Sequence, residues 1–123
     1  SSNGVSSNFS SGWENRYEKI KIIKNNEYLR IARNLFYNCM NEFYNDDSNL
    51  VLVRELANDF FSNLKLIHNK IGYDKNTLKF LNAFHKEITE LFFTLNMQEG
   101  IIFLYNYDDK NQLYYERYLN LNE

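Results

Sequence analysis

The chain has 123 residues, 44% of them hydrophobic and 17% aromatic, with a formal net charge of −2. That is one domain's worth of chain, with apolar surface enough for a core and too much for a disordered tail. A single Cys excludes a disulfide scaffold and a Cys-based zinc site, the lack of Pro and the four Gly exclude collagen-like and Pro-rich segments, and the charge argues against a general nucleic-acid binder.

Residues 1–12 are small, polar and nearly uncharged, and read as a linker outside the core. With Ser1 in place of a start Met, they suggest a module cut from a larger protein, its folded part being a single helical domain over 13–123. No basic start and apolar centre of a secretory signal is present, and the lone Cys39 fits a reducing compartment. The longest apolar run, Gly100 to Tyr105, is far too short to cross a membrane. Plentiful Asn, Lys and Tyr with little Ala follow the bias of A+T-rich genomes, and exposed Asn carries no functional message on that account.

Trp13 to Lys24 leaves two readings open: Trp13, Tyr17 and Ile20 fit a short helix, while Ile20 and Ile22 fit an extended segment. The first strong helix is expected from about Asn26 to Asn45, with Tyr28, Ile31, Ala32, Leu35, Phe36, Cys39, Met40 and Phe43 in one apolar stripe. Asn25 or Asn26 suits its N-cap, and Glu27 faces the positive end of its dipole. Residues 45–49 read as a loop. A second helix is expected from about Asn49 to Ile71, capped by Ser48 or Asn49 and closed by Gly72 in the left-handed position. A third is expected from about Asn76 to Gln98, stopped by Gly100, with Phe80, Ala83 and Phe93 widening its apolar arc. At the C-terminus, Ile101 to Tyr107 and Gln112 to Leu121 flank a turn-forming Asp108-Asp109-Lys110-Asn111 and suit a β-hairpin, with a final helix over 111–121 nearly as good. The fold class is all-α or mainly α: a compact bundle of three to four helices, with or without a small C-terminal hairpin.

Catalytic signatures are missing. His68 and His85 are far apart, no H-E-x-x-H, phosphate-cradling glycine loop or nucleophile elbow occurs, and no cofactor or metal is implied. Cys39 falls on the apolar stripe and reads as an inert packing thiol. Asp46 and Asp47 read as capping residues beside a helix start. The charge is uneven: residues 13–33 carry six bases against three acids, whereas residues 34–64 carry Arg54 against five acids. A basic stretch on a near-neutral domain points to a small anionic target.

The stretch from Ile22 to Glu42 resembles the SRI domain of elongation-coupled histone lysine methyltransferases, a module also found in a RecQ-type helicase. In that family an Ile, a short polar cap and an acid–aromatic pair lead into aromatic-x-x-Leu-Ala-Arg-Lys-Leu, with a Met-Asn pair following. Glu27-Tyr28, Ile31-Ala32-Arg33-Asn34-Leu35 and Met40-Asn41 stand at the matching places. Asn49 to Gly72 is similar to the family's long next helix, so the resemblance spans about residues 22–72, two-fifths of the chain. The family's first helix has no match in residues 1–20, and residues 73–123 have no counterpart.

The resemblance implies a non-catalytic three-helix module that binds the C-terminal repeats of the largest RNA polymerase II subunit, Tyr-Ser-Pro-Thr-Ser-Pro-Ser, phosphorylated on the second and fifth residues. It further implies a nuclear protein, with the domain tethering a histone methyltransferase to transcribed chromatin. Carried over by position, the aromatic contact falls on Tyr28, the phosphate-pairing Arg on Arg33 and a family His on Tyr37. A family Lys falls on Leu29, leaving Arg30 or Lys24 to take its place. With Lys21, these complete the candidate peptide- and phosphate-binding set. Helical geometry groups part of it without the family: Arg33 and Tyr37 stand about 40° apart on the wheel and Arg30 about 20° beyond. A guanidinium fork suits phosphate, and a Tyr face suits a peptide Tyr or Pro. Two rival readings remain: a helical scaffold or dimerisation domain whose contact surface is the Tyr-rich C-terminus (Tyr105, Tyr107, Tyr114, Tyr115, Tyr118), and a nucleic-acid contact through residues 16–33, against which the net charge speaks.

Overall fold

The computed structural model of the chain describes residues 12–21, 27–72 and 75–107. The protein is mainly α, and the described residues contain no strand. By its internal contacts the chain divides into two compact units, residues 1–72 and 73–123, where the sequence reads as one domain.

The first unit holds α1 (Trp13–Lys21), α2 (Glu27–Phe43) and α3 (Leu50–Lys70). The Cys39 thiol lies 3.7 Å from the Val53 carbonyl, and the Phe36 and Phe60 rings are 5.5 Å apart. As the α2 position falls from 39 to 36, its α3 partner rises from 53 to 60, which is the signature of an antiparallel hairpin. The loop between them is built by side chains: Asn45 Oδ1 accepts from the Asp47 N–H at 2.8 Å, and Glu42 Oε2 accepts from the Asn49 N–H at 2.9 Å. Asn49 then caps α3, its Oδ1 accepting from Val51 and Leu52. At the far end Ile71 and Gly72 both donate to the Ile67 carbonyl, and Gly72 takes φ +84°, a conformation nearly free of cost only for glycine.

The open reading of Trp13 to Lys24 resolves as a helix through Lys21, with residues 22–26 outside the described set. Trp13 is 1% exposed and meets Phe36 edge-on at 5.9 Å and Tyr37 at 5.6 Å; Tyr17 lies 4.9 Å from Tyr37. The buried face of α2 differs from the stripe expected from the sequence. The buried residues are Leu29, Ala32, Arg33, Phe36, Cys39 and Met40, while Tyr28, Ile31, Leu35 and Phe43 are only half-buried. Leu29, Ala32, Phe36 and Cys39 follow one helical spacing, and α1 meets α2 at Phe36 and Tyr37.

The second unit holds α4 (Lys75–Ala83), α5 (His85–Thr94) and α6, helical over 98–107. The single helix expected over 76–98 is broken at Phe84, whose φ is −118° and ψ 18°. Two successive three-residue steps, Leu78 to Leu81 to Phe84, rotate an apolar stripe back by about 120° on a straight helix. The break lets Leu78, Phe80, Phe84, Ile88 and Phe92 all reach full burial. Phe84 N–H still reaches the Phe80 carbonyl and Ile88 N–H reaches the Phe84 carbonyl, so the chain stays bonded on each side of the break.

Asn96, not Gly100, ends α5. Asn96 has φ +57°, its N–H reaches the Phe93 carbonyl at 3.0 Å, and the Met97 N–H reaches Phe92 at 2.9 Å. That is the paired closing pattern of a Schellman turn, with Asn in the left-handed place. Gly100 instead sits inside α6, where a Cβ would stand 2.6 Å from the Phe92 ring. The first arm of the expected hairpin, Ile101 to Tyr107, is helical, because Gly100, Leu104 and Tyr107 follow helical spacing and are the buried positions. Its second arm, 112–121, lies outside the described residues.

Candidate functional site

The structure sorts the seven candidate residues by depth. Leu29 is 1% exposed and belongs to the core, so the position where the resemblance places a phosphate-binding Lys offers no contact at the surface. Arg33 is 7% exposed. It sits one turn before Tyr37, whose ring meets α1, and it is largely buried instead of open as expected from the wheel. Tyr28 and Tyr37 are half-buried and Arg30 is exposed. Lys21 closes α1, and Lys24 lies outside the described residues.

Tyr37 is the best-held member. Its ring lies tilted against Tyr17 and edge-on to Trp13, which in turn abuts Phe36 and, at 6.3 Å, Tyr17. Such offset and edge-to-face arrangements are the favoured geometries of aromatic pairs. A side chain fixed this way presents its remaining face without further loss of rotamer freedom on binding. Trp13 and Tyr17, read from the sequence as part of a short helix, were not among the candidate site residues. Their i, i+4 spacing on a short helix was the available signal.

Arg30 is already engaged. Its guanidinium makes a two-pronged ion pair with Glu27 one turn earlier, Nε reaching Oε1 at 3.2 Å and Nη2 meeting Oε2. The hydrogen bonds from Arg30, with its charge adding to them, hold the Glu27 carboxyl below the usual carboxylate range; the same bonds raise the Arg30 pKa. Both groups are in water, so the pair is weak and screened, and an incoming phosphate dianion can compete with Glu27 for the fork.

Burial pushes the Cys39 thiol up to about 12, and its Sγ contacts the Val53 carbonyl inside the hairpin, consistent with a packing group. No cluster of three metal-ligating side chains occurs among the described residues, and none of their helices is long and apolar enough to cross a membrane.

In the second unit, His85, Thr89 and Phe93 of α5 and Ile101, Leu104 and Tyr105 of α6 line a mostly apolar cleft of about 170 Å³. Phe93 is 61% and Tyr105 77% exposed, so two large rings stand at its rim. Tyr107, counted from the sequence with the aromatic contact surface, is 3% exposed and belongs to the interior.

No family model, curated protein or solved structure matches this chain.

Proposed function

We propose that the chain is a non-catalytic binding module that takes up an extended phosphorylated peptide, the heptad repeats of the RNA polymerase II tail, along the α1–α2 flank. In this reading it tethers a histone lysine methyltransferase to transcribed chromatin in the nucleus. The observation that carries it is the half-buried Tyr37 ring, immobilised by Trp13 and Tyr17 on the helix flank where Arg30 stands exposed. The resemblance of residues 22–42 to the SRI domain supplies the identity of the peptide. Tyr37 takes a peptide ring, Arg30 exchanges Glu27 for a phosphate, and Arg33 braces the flank from beneath with its small exposed edge.

The test is a titration of the full chain with unmodified, singly and doubly phosphorylated heptad peptides. The doubly phosphorylated peptide binds tightest, and its affinity falls as salt rises because exposed phosphate pairs are screened. Arg30→Ala and Tyr37→Ala each weaken it by about tenfold or more while helical content is retained. Equal affinity for the unmodified peptide contradicts the reading. Arg33→Ala is the poorer probe, because it empties a buried position and lowers stability as well.

A second reading is a scaffold that binds a protein partner irrespective of phosphorylation. The exposed Phe93 and Tyr105 rings at the rim of the α5–α6 cleft favour it. Under that reading partner binding ignores phosphate and is lost in Phe93→Ser.

A further inference from the structure

The first turn of α3 breaks a local rule. Helix N-termini favour acidic side chains, because the free N–H groups and the dipole are positive there. Here Asn49 caps the helix, no acid follows in the first turn, and the three residues after the cap are Leu50, Val51 and Leu52. They are 57%, 70% and 40% exposed. Three consecutive aliphatic side chains stand largely or partly in water just before the buried α3 residues begin at Val53. A run of this kind is unfavourable unless something covers it.

The charges around the run say what kind of group covers it. Asp46 and Asp47, both exposed, precede it in the loop. Glu42 reaches the start of α3 to accept from the Asn49 N–H. Glu55 stands one turn after Val51 and Leu52, and Asp59 one turn further, both exposed. Between residues 42 and 59, Arg54 is the one base against these five acids. Asn45 Oδ1 and the Glu42 carboxylate hold the loop by hydrogen bonds, so the acidic rim is set in place beside the aliphatic run.

We infer that this α2–α3 cap is a docking surface for a basic amphipathic segment of another protein, one that sets Leu- or Ile-like side chains on Leu50, Val51 and Leu52 and lysine or arginine side chains against Asp46, Asp47 and Glu55. The aliphatic contacts supply affinity by leaving water, and the acidic rim sets orientation and excludes acidic competitors. An acidic helix meets like charge on both sides of the run. The surface is separate from the Arg30–Tyr37 flank and does not depend on the reading of that flank.

The experiment uses the full isotope-labelled chain and three synthetic helical peptides of one length: lysine with leucine, glutamate with leucine, and lysine with serine. The lysine–leucine peptide shifts the backbone amides of residues 46–55, the glutamate–leucine peptide does not bind, and the lysine–serine peptide binds at least about tenfold more weakly. Val51→Ser and Glu55→Lys, both exposed and outside the core, each weaken the lysine–leucine peptide by about tenfold with unchanged helical content. The inference is overturned if the lysine–leucine peptide fails to bind, if its shifts fall elsewhere, if the glutamate–leucine peptide binds as well, or if Val51→Ser leaves affinity unaltered. Sedimentation of the chain alone adds one further check: a dimer that Val51→Ser dissociates makes a second copy the occupant and contradicts the inference.

Discussion

The two units expose different kinds of surface for different structural reasons. In residues 1–72 a short helix lies across a hairpin, and its Trp and Tyr lock a tyrosine in place beside an exposed arginine. In residues 73–107 the α4–α5 break and the Schellman turn bring large apolar residues inward, yet Phe93 and Tyr105 remain outside at the rim of an apolar cleft. The first surface is aromatic with a polar edge. The second is mostly apolar.

The largest expected effect is in the first unit. Phe36 is fully buried and touches both Trp13 and Phe60, so Phe36→Ala removes a ring that α1 shares with the hairpin core. Denaturant unfolding should show a loss of about 3–5 kcal/mol. The corresponding change in the second unit is Gly100→Ala, which drives a methyl into the buried Phe92 ring and costs about 1–3 kcal/mol by the same measurement. Amide exchange separates the two: Phe36→Ala loosens 27–72 first and Gly100→Ala loosens 75–107 first.

Smaller effects sharpen the comparison. Asn49→Ala removes the α3 cap and costs about 1 kcal/mol by thermal or urea unfolding. Glu27→Gln has the least effect on the fold and a visible one on binding. It frees the Arg30 fork and raises affinity for a doubly phosphorylated heptad severalfold, read by fluorescence anisotropy. The sign with pH follows from the lowered Glu27 pKa. The pair's small contribution is complete above the carboxyl's unfolded value and disappears as pH falls through the folded one. An NMR titration of the Glu27 carboxyl in Arg30→Ala should place its midpoint higher than in the parent.

The α2–α3 hairpin was legible because its punctuation is local. Asn49 as cap, Gly72 as left-handed stop and the stripe of Ala32, Phe36, Cys39 and Met40 each act within one or two turns. The break at Phe84 was hidden because no Gly or Pro marks it; only the three-residue steps from Leu78 betray it. Asn96 was passed over for Gly100, although Asn also tolerates the left-handed region, and Gly100 answers to the nearness of Phe92 instead. At the candidate site, Arg30 and Tyr37 keep the full or partial exposure that their helix positions announce, while Tyr28, read as part of the apolar stripe, is only half-buried. Arg33 and Leu29 are buried although the stripe read from α2 leaves both out, and the contact of α1 at Phe36 and Tyr37 leaves no pattern within α2.

The central claim is tested most directly by titrating the isotope-labelled chain with the doubly phosphorylated heptad peptide and following the backbone amides. The account predicts saturable shifts centred on Tyr28, Arg30 and Tyr37 that are absent with the unmodified peptide. Shifts of equal size with both peptides, or shifts confined to the Phe93 and Tyr105 region, would contradict it.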